Sequence, residues 1–147
     1  MECTVKWLGQ ESGMSFMAET GSGHMVAMDG APEAGGRNLA SRPMEMLLAG
    51  AGGCTAFDIV MILKKGRHQV SGCDVRLEAD RAETDPKVFT RINFHYRLKG
   101  RSLKPEAVER AIGLSKEKYC SASIMLAQTA AITTSYEIIE ETASTPS

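Results

Sequence analysis

A chain of 147 residues, 43% hydrophobic and 24% charged, fits a single soluble domain. A domain of this size buries about 68–70% of its unfolded surface, so no disulfide framework is needed for folding. The net charge of −1 excludes the basic footprint of a nucleic-acid or anionic-membrane partner.

The first third reads as antiparallel β. Thr4–Leu8, Ser15–Thr20 and His24–Met28 are short runs, separated by Gly9-Gln10-Glu11-Ser12-Gly13 and Gly21-Ser22-Gly23. Residues 31–40 hold Pro, Gly and Asn without a period and read as an exposed loop. A long helix is predicted over Pro43–Lys65. Pro43 suits its first turn, Ser41 is a possible cap, Lys64 and Lys65 suit its negative end, and Gly66 is a natural stop.

From Met46 to Leu63 the only charged residue is Asp58. Such a helix is apolar on all faces, so it is buried all round or crosses a membrane. Asp58 and the glycines Gly50, Gly52 and Gly53 argue for a core helix. One small domain has difficulty wrapping a helix on every side, so the pattern points to an intimate homodimer. Beyond it, alternation predicts strands over 70–80 and 88–98, with Asp85-Pro86 in the turn between them. Helices follow over about 105–119 and from Ser121, then a strand over 132–139. The order β-β-β-α-β-β-α-α-β is an α+β arrangement in one domain over residues 1–140, with a flexible polar tail expected over 141–147.

The chemistry-bearing residues are few. Cys3, Cys54, Cys73 and Cys120 show no C-x-x-C spacing, and His24, His68 and His95 are dispersed, so neither a metal nor a cofactor is expected. The N-terminus lacks a basic stretch followed by an apolar core and does not read as a secretory signal. Reduced thiols in the cytoplasm are the expectation. Taken alone, Cys54 reads as a small core hydrophobe. Cys120 falls at a junction between two helices, where the second helix's N-terminus and the nearby Lys116 and Lys118 would favour a thiolate. Asp58 must pair or face a wet cavity, and a satisfied structural acid is the plainer reading.

Arg42-Pro43-Met44-Glu45-Met46-Leu47-Leu48-Ala49-Gly50-Ala51-Gly52-Gly53-Cys54 resembles the OsmC/Ohr pattern of Pro, acid, apolar run and helix cysteine. Lys118-Tyr119-Cys120-Ser121 resembles that family's second cysteine motif. Pro-Met-Glu-Met and Glu-Lys-Tyr-Cys-Ser are shared with one of its branches. The resemblance implies an OsmC-like fold, in which an intertwined homodimer buries the long central helix. It also implies a thiol-dependent peroxidase acting on small organic hydroperoxides. Cys54 would be oxidised to a sulfenic acid, Cys120 would condense with it, and a dithiol or lipoyl-type reductant would restore both thiols.

Peroxidases of the family use a Glu directly after the Pro, where this chain has Met44. Glu45 stands nine residues before Cys54, which at roughly 100° per residue puts it on the opposite side of an ideal helix. Arg37 and Arg42 are the N-terminal candidates for the family's catalytic Arg. These departures leave open a non-enzymatic dimer on the same fold that senses redox state or binds a small apolar ligand, and a purely structural role for the thiols.

Overall fold

The computed structural model describes residues 1–142. Packing groups the described residues into two compact units, one of residues 1–49 and one from residue 50 onward, with the helix α1 (Pro43–Lys65) contributing to both; the expected tail lies outside the described residues from 143 onward.

The first unit carries an antiparallel meander of β1 (Cys3–Trp7), β2 (Phe16–Thr20) and β3 (Met25–Met28), in that order. Gly13 and Gly23 take positive φ in the two connections, which favours glycine at both. The segment over 31–40, expected as an exposed loop, is mostly exposed and is held by local hydrogen bonds. It contains a short 3-10 turn, Pro32–Ala34. The buried Asp29 accepts backbone N–H groups from Gly30, Arg37 and Leu39. Those bonds, Leu39's foremost, hold the Asp29 carboxyl below its ordinary range.

The second unit is built on a sheet of order β4-β5-β6. β4 (Gln69–Arg81) and β5 (Phe89–Arg101) pair antiparallel. The chain then crosses through α2 (Pro105–Leu114), a π-helical turn (Ser115–Tyr119) and α3 (Ser121–Leu126), and returns as β6 (Ala131–Glu140) parallel to β5. Period-2 alternation puts Ile92, Phe94, Tyr96 and Leu98 of the central strand into the core. The opposite face is a charged ladder in which Arg97 pairs with Glu137 and Arg91 with Asp80.

Within this unit α1 buries Ala51, Gly52, Thr55, Ile59 and Leu63, a stripe at helical spacing. Gly52 packs closely on β4, and a Cβ there would lie 2.9 Å from Leu77 Cδ1, so that side chain would have to shift. Burial all round, the expectation from sequence, is not met within one chain. Phe57 and Met61 stay exposed because the sheet covers only one face of this part of α1.

Candidate functional site

Two elements of the second unit bring the sequence-distant thiols together. Cys54 and Asp58 are four residues apart on α1 and so lie on one face of it. Cys120 follows the π turn, which is closed by the Cys120 N–H donating to the Ser115 carbonyl at 2.8 Å. The extra residue in that turn sends Lys116 to Tyr119 outward while Ser115 and Cys120 both point into the core. The Cys54 Sγ, the Cys120 Sγ and a carboxylate oxygen of Asp58 lie within 4.8 Å of one another.

All four cysteines are free thiols. Cys54 is half-buried and Cys120 is fully buried. The expected support of a Cys120 thiolate is present in part. Cys120 caps α3, and the Ser123 N–H reaches its Sγ at 3.4 Å. Burial nevertheless outweighs this bond and pushes the Cys120 thiol up, with the neighbouring Cys54 thiol adding to the rise. Lys116 and Lys118 contribute little because both are exposed, and Lys118 lies over the Tyr119 ring.

A buried hydroxyl chain ends on Asp58. Ser115 Oγ donates to Asp58 Oδ2 at 3.0 Å. Ser115 Oγ and Thr55 Oγ1 are 2.8 Å apart, and Thr55 Oγ1 lies 3.0 Å from the Tyr96 hydroxyl. Ser115 spends its single proton on Asp58, so the protons run in one direction: Tyr96 to Thr55, Thr55 to Ser115, Ser115 to Asp58. Burial pushes the Tyr96 phenol up to about 12, against the opposing effect of its Thr55 bond. It therefore remains a protonated donor at neutral pH. Asp58 also borders a cleft of ≈ 280 Å³ whose other walls are Phe57, Met61, Ile62, Lys65, Leu114 and Tyr119.

Glu45, Arg37 and Arg42 take partners in the first unit. Glu45 sits at the third position of α1, and its Oε1 accepts the Arg42 backbone N–H at 2.9 Å and the Arg42 guanidinium at 3.5 Å. That is the acidic half of a capping box. The Arg42 N–H bond holds the Glu45 carboxyl below its ordinary range. Arg42 also donates to Asn38, and the Arg37 guanidinium donates to the Glu11 carbonyl. Asp58, Ser115, Thr55 and Tyr96 are the site residues that the sequence reading did not select. For Asp58 the signal was available: it is the sole charge in the apolar run and sits four residues after the helix cysteine.

Comparison with known proteins agrees with this architecture. The family model described as OsmC-like protein matches residues 35–135. Protein YhfA of Escherichia coli K12 is 48% identical over 139 residues, covering 95% of this chain and 98% of its own. The crystal structure of a hypothetical protein from Aquifex aeolicus superposes with a TM-score of 0.81 at 30% identity, covering 96% of this chain and 97% of that one. An organic hydroperoxide resistance protein OsmC from Legionella pneumophila shares the fold at a TM-score of 0.66 and 18% identity, with 92% and 96% of the two chains covered. On its matched core and on its likeness to YhfA along nearly its whole length, the chain belongs to the OsmC-like family.

Proposed function

We propose that the protein is a cytoplasmic, homodimeric thiol-dependent peroxidase that reduces small organic hydroperoxides through Cys54 and Cys120. The observation that carries this reading is the convergence of the two sulfurs with the Asp58 carboxylate within 4.8 Å. The name of the Legionella neighbour, an organic hydroperoxide resistance protein, supports it. The cleft beside Asp58 offers Phe57, Met61, Ile62 and Leu114 to an alkyl group.

Cys54 is the attacking thiol, being half-buried where Cys120 has no exposure and a raised pKa. Its thiolate attacks one peroxide oxygen, the O–O bond breaks, and the alkoxide leaves and takes a proton to become the alcohol. Cys54 is then a sulfenic acid. The Cys120 sulfur attacks the Cys54 sulfur, and the sulfenic oxygen departs as water. Asp58 takes the Cys120 thiol proton and passes it to that departing oxygen. A disulfide needs roughly 2.05 Å between sulfurs, so closure takes at most about 2.8 Å of travel, within reach of a cysteine rotamer change. A dithiol or lipoyl-type reductant then opens the disulfide and is itself oxidised to a disulfide.

The test is rapid-mixing with cumene hydroperoxide and a count of free thiols. The wild type should lose two thiols per chain, and Cys54→Ser none to this reaction. Asp58→Asn should slow the second thiol's loss by about 10²-fold, the scale of a lost proton acceptor, while leaving the first nearly unchanged. Equal thiol loss in Cys54→Ser and wild type would end the proposal. One observation favours the second reading, a non-catalytic redox sensor: Glu45 and Arg42, the candidates for the family's catalytic Glu and Arg, are paired with each other at the start of α1. A sensor would form the disulfide once and show no turnover with dithiol.

A further inference from the structure

We propose that Cys54, Cys120 and Asp58 form a binding site for Zn²⁺, with two thiolate sulfurs and one carboxylate oxygen as ligands and water in the fourth position. This goes beyond the peroxidase reading and does not depend on it. In a tetrahedral zinc site with Zn–S of about 2.3 Å and Zn–O of about 2.0–2.2 Å, ligand atoms stand roughly 3.4–3.8 Å apart. The three atoms here already lie within 4.8 Å of one another, so small side-chain rotations complete the geometry.

The surroundings match what a metal site needs outside its ligands. Ser115 Oγ donates to Asp58 Oδ2 and orients the carboxylate, the kind of hydrogen bond that holds a metal ligand in place. The hydroxyl chain through Thr55 to Tyr96 fixes Ser115 from behind. The Ser123 N–H steadies the Cys120 sulfur. Cys54 and Asp58 stand at i and i+4 on one helix, the spacing by which helices present two ligands to one ion. The third ligand arrives from 66 residues away, which is why the cysteine spacing gave no metal signal in the sequence.

The donor set also suits a soft divalent ion. Two sulfurs and a carboxylate crowd together, and no Lys or Arg among the described residues of the second unit pairs with that carboxylate. Two thiolates among three ligands select zinc over calcium or magnesium. Starting from thiols, binding releases one proton from each cysteine, so affinity should rise with pH. Half-burial of Cys54 leaves a path for the ion to enter. Zinc on the sulfurs would occupy the electron pairs that a peroxide must meet, so bound zinc and oxidant compete for the same thiolates.

The test uses the full chain, fully reduced and stripped of metal by a chelator, titrated anaerobically with Co²⁺ and then with Zn²⁺. The wild type and Cys73→Ser should bind one Co²⁺ per chain with a near-ultraviolet thiolate-to-cobalt band, which Zn²⁺ then removes. Cys54→Ser should lose intensity in that band. Asp58→Asn, which replaces a charged ligand by a neutral one, should keep the band and bind the ion more weakly. Folding is checked by far-ultraviolet circular dichroism. For wild-type protein, equimolar Zn²⁺ should also protect Cys54 from alkylation, which needs no variant to fold. Absence of the band at saturating Co²⁺, an undiminished band in Cys54→Ser, or no protection of Cys54 would each overturn the proposal. No peroxide enters these measurements, so they can fail while the peroxidase reading stands, and the reverse.

Discussion

Cys54 and Cys120 share one neighbourhood but not one environment. Cys120 is sealed in the core, and burial outweighs the Ser123 N–H that steadies its sulfur. Burial also raises Cys73, with the nearby Asp74 charge as a second cause, and raises Tyr96 to about 12. All three acids bind their protons more tightly in the folded chain than in the unfolded one. Their contribution to stability is complete below the ordinary thiol pKa of about 8.5 and is lost as pH rises through the raised folded values. Urea unfolding followed from pH 8 upward should therefore show stability falling from about pH 8.5, with the phenol extending the loss toward about 12. Cys120→Ala should flatten the thiol part of that decline. A stability that rises or stays level above the thiol range would contradict the burial argument.

At the scale of the element, α1 does three jobs with one stretch of sequence. Pro43 and Glu45 start it, the latter by accepting the Arg42 N–H. Its Ala51, Gly52, Thr55, Ile59 and Leu63 stripe rests in the core of the second unit, and its Cys54–Asp58 pair supplies two thirds of the site. Gly52 sets how closely α1 approaches β4. Gly52→Val should wedge Leu77 aside and cost about 1–3 kcal/mol, more than the gain in helix propensity returns. Thermal unfolding measures this, and an unchanged Tm would show that the close approach is not needed.

The ends of α1 were legible in sequence because Pro43, Lys64, Lys65 and Gly66 act locally. The strands were legible from alternation in Val75, Leu77, Ile92, Phe94 and Tyr96. The π turn was not, since Ser115–Tyr119 continues a helical pattern and only the inward turn of Cys120 reveals the extra residue. Nor was the parallel return of β6 beside β5, which follows from a crossover rather than from any local signal. The thiol pair was found by resemblance alone, and Asp58 was passed over because a lone acid in an apolar helix has a ready structural explanation.

For the whole molecule, a second chain is proposed to cover the exposed part of α1. Leu47 is 51% exposed and Phe57 68% exposed on a helix of high mean hydropathy. Apolar surface of this kind on a long helix marks an interaction face. Sedimentation velocity should find a dimer, and Leu47→Glu, which lies away from the cleft-lining residues, should shift it toward monomer. A monomeric wild type at micromolar concentration would remove the homodimer from the account.

The account's central claim is that the Cys54 and Cys120 sulfurs join when the protein meets an organic hydroperoxide. Peptide mapping by mass spectrometry, after one equivalent of cumene hydroperoxide and quenching with an alkylating reagent, tests it most directly. The predicted result is a linked pair of peptides carrying Cys54 and Cys120, with Cys3 and Cys73 alkylated. Recovery of all four cysteines as alkylated thiols, or a bond that pairs Cys54 with Cys73 or Cys3, would contradict it.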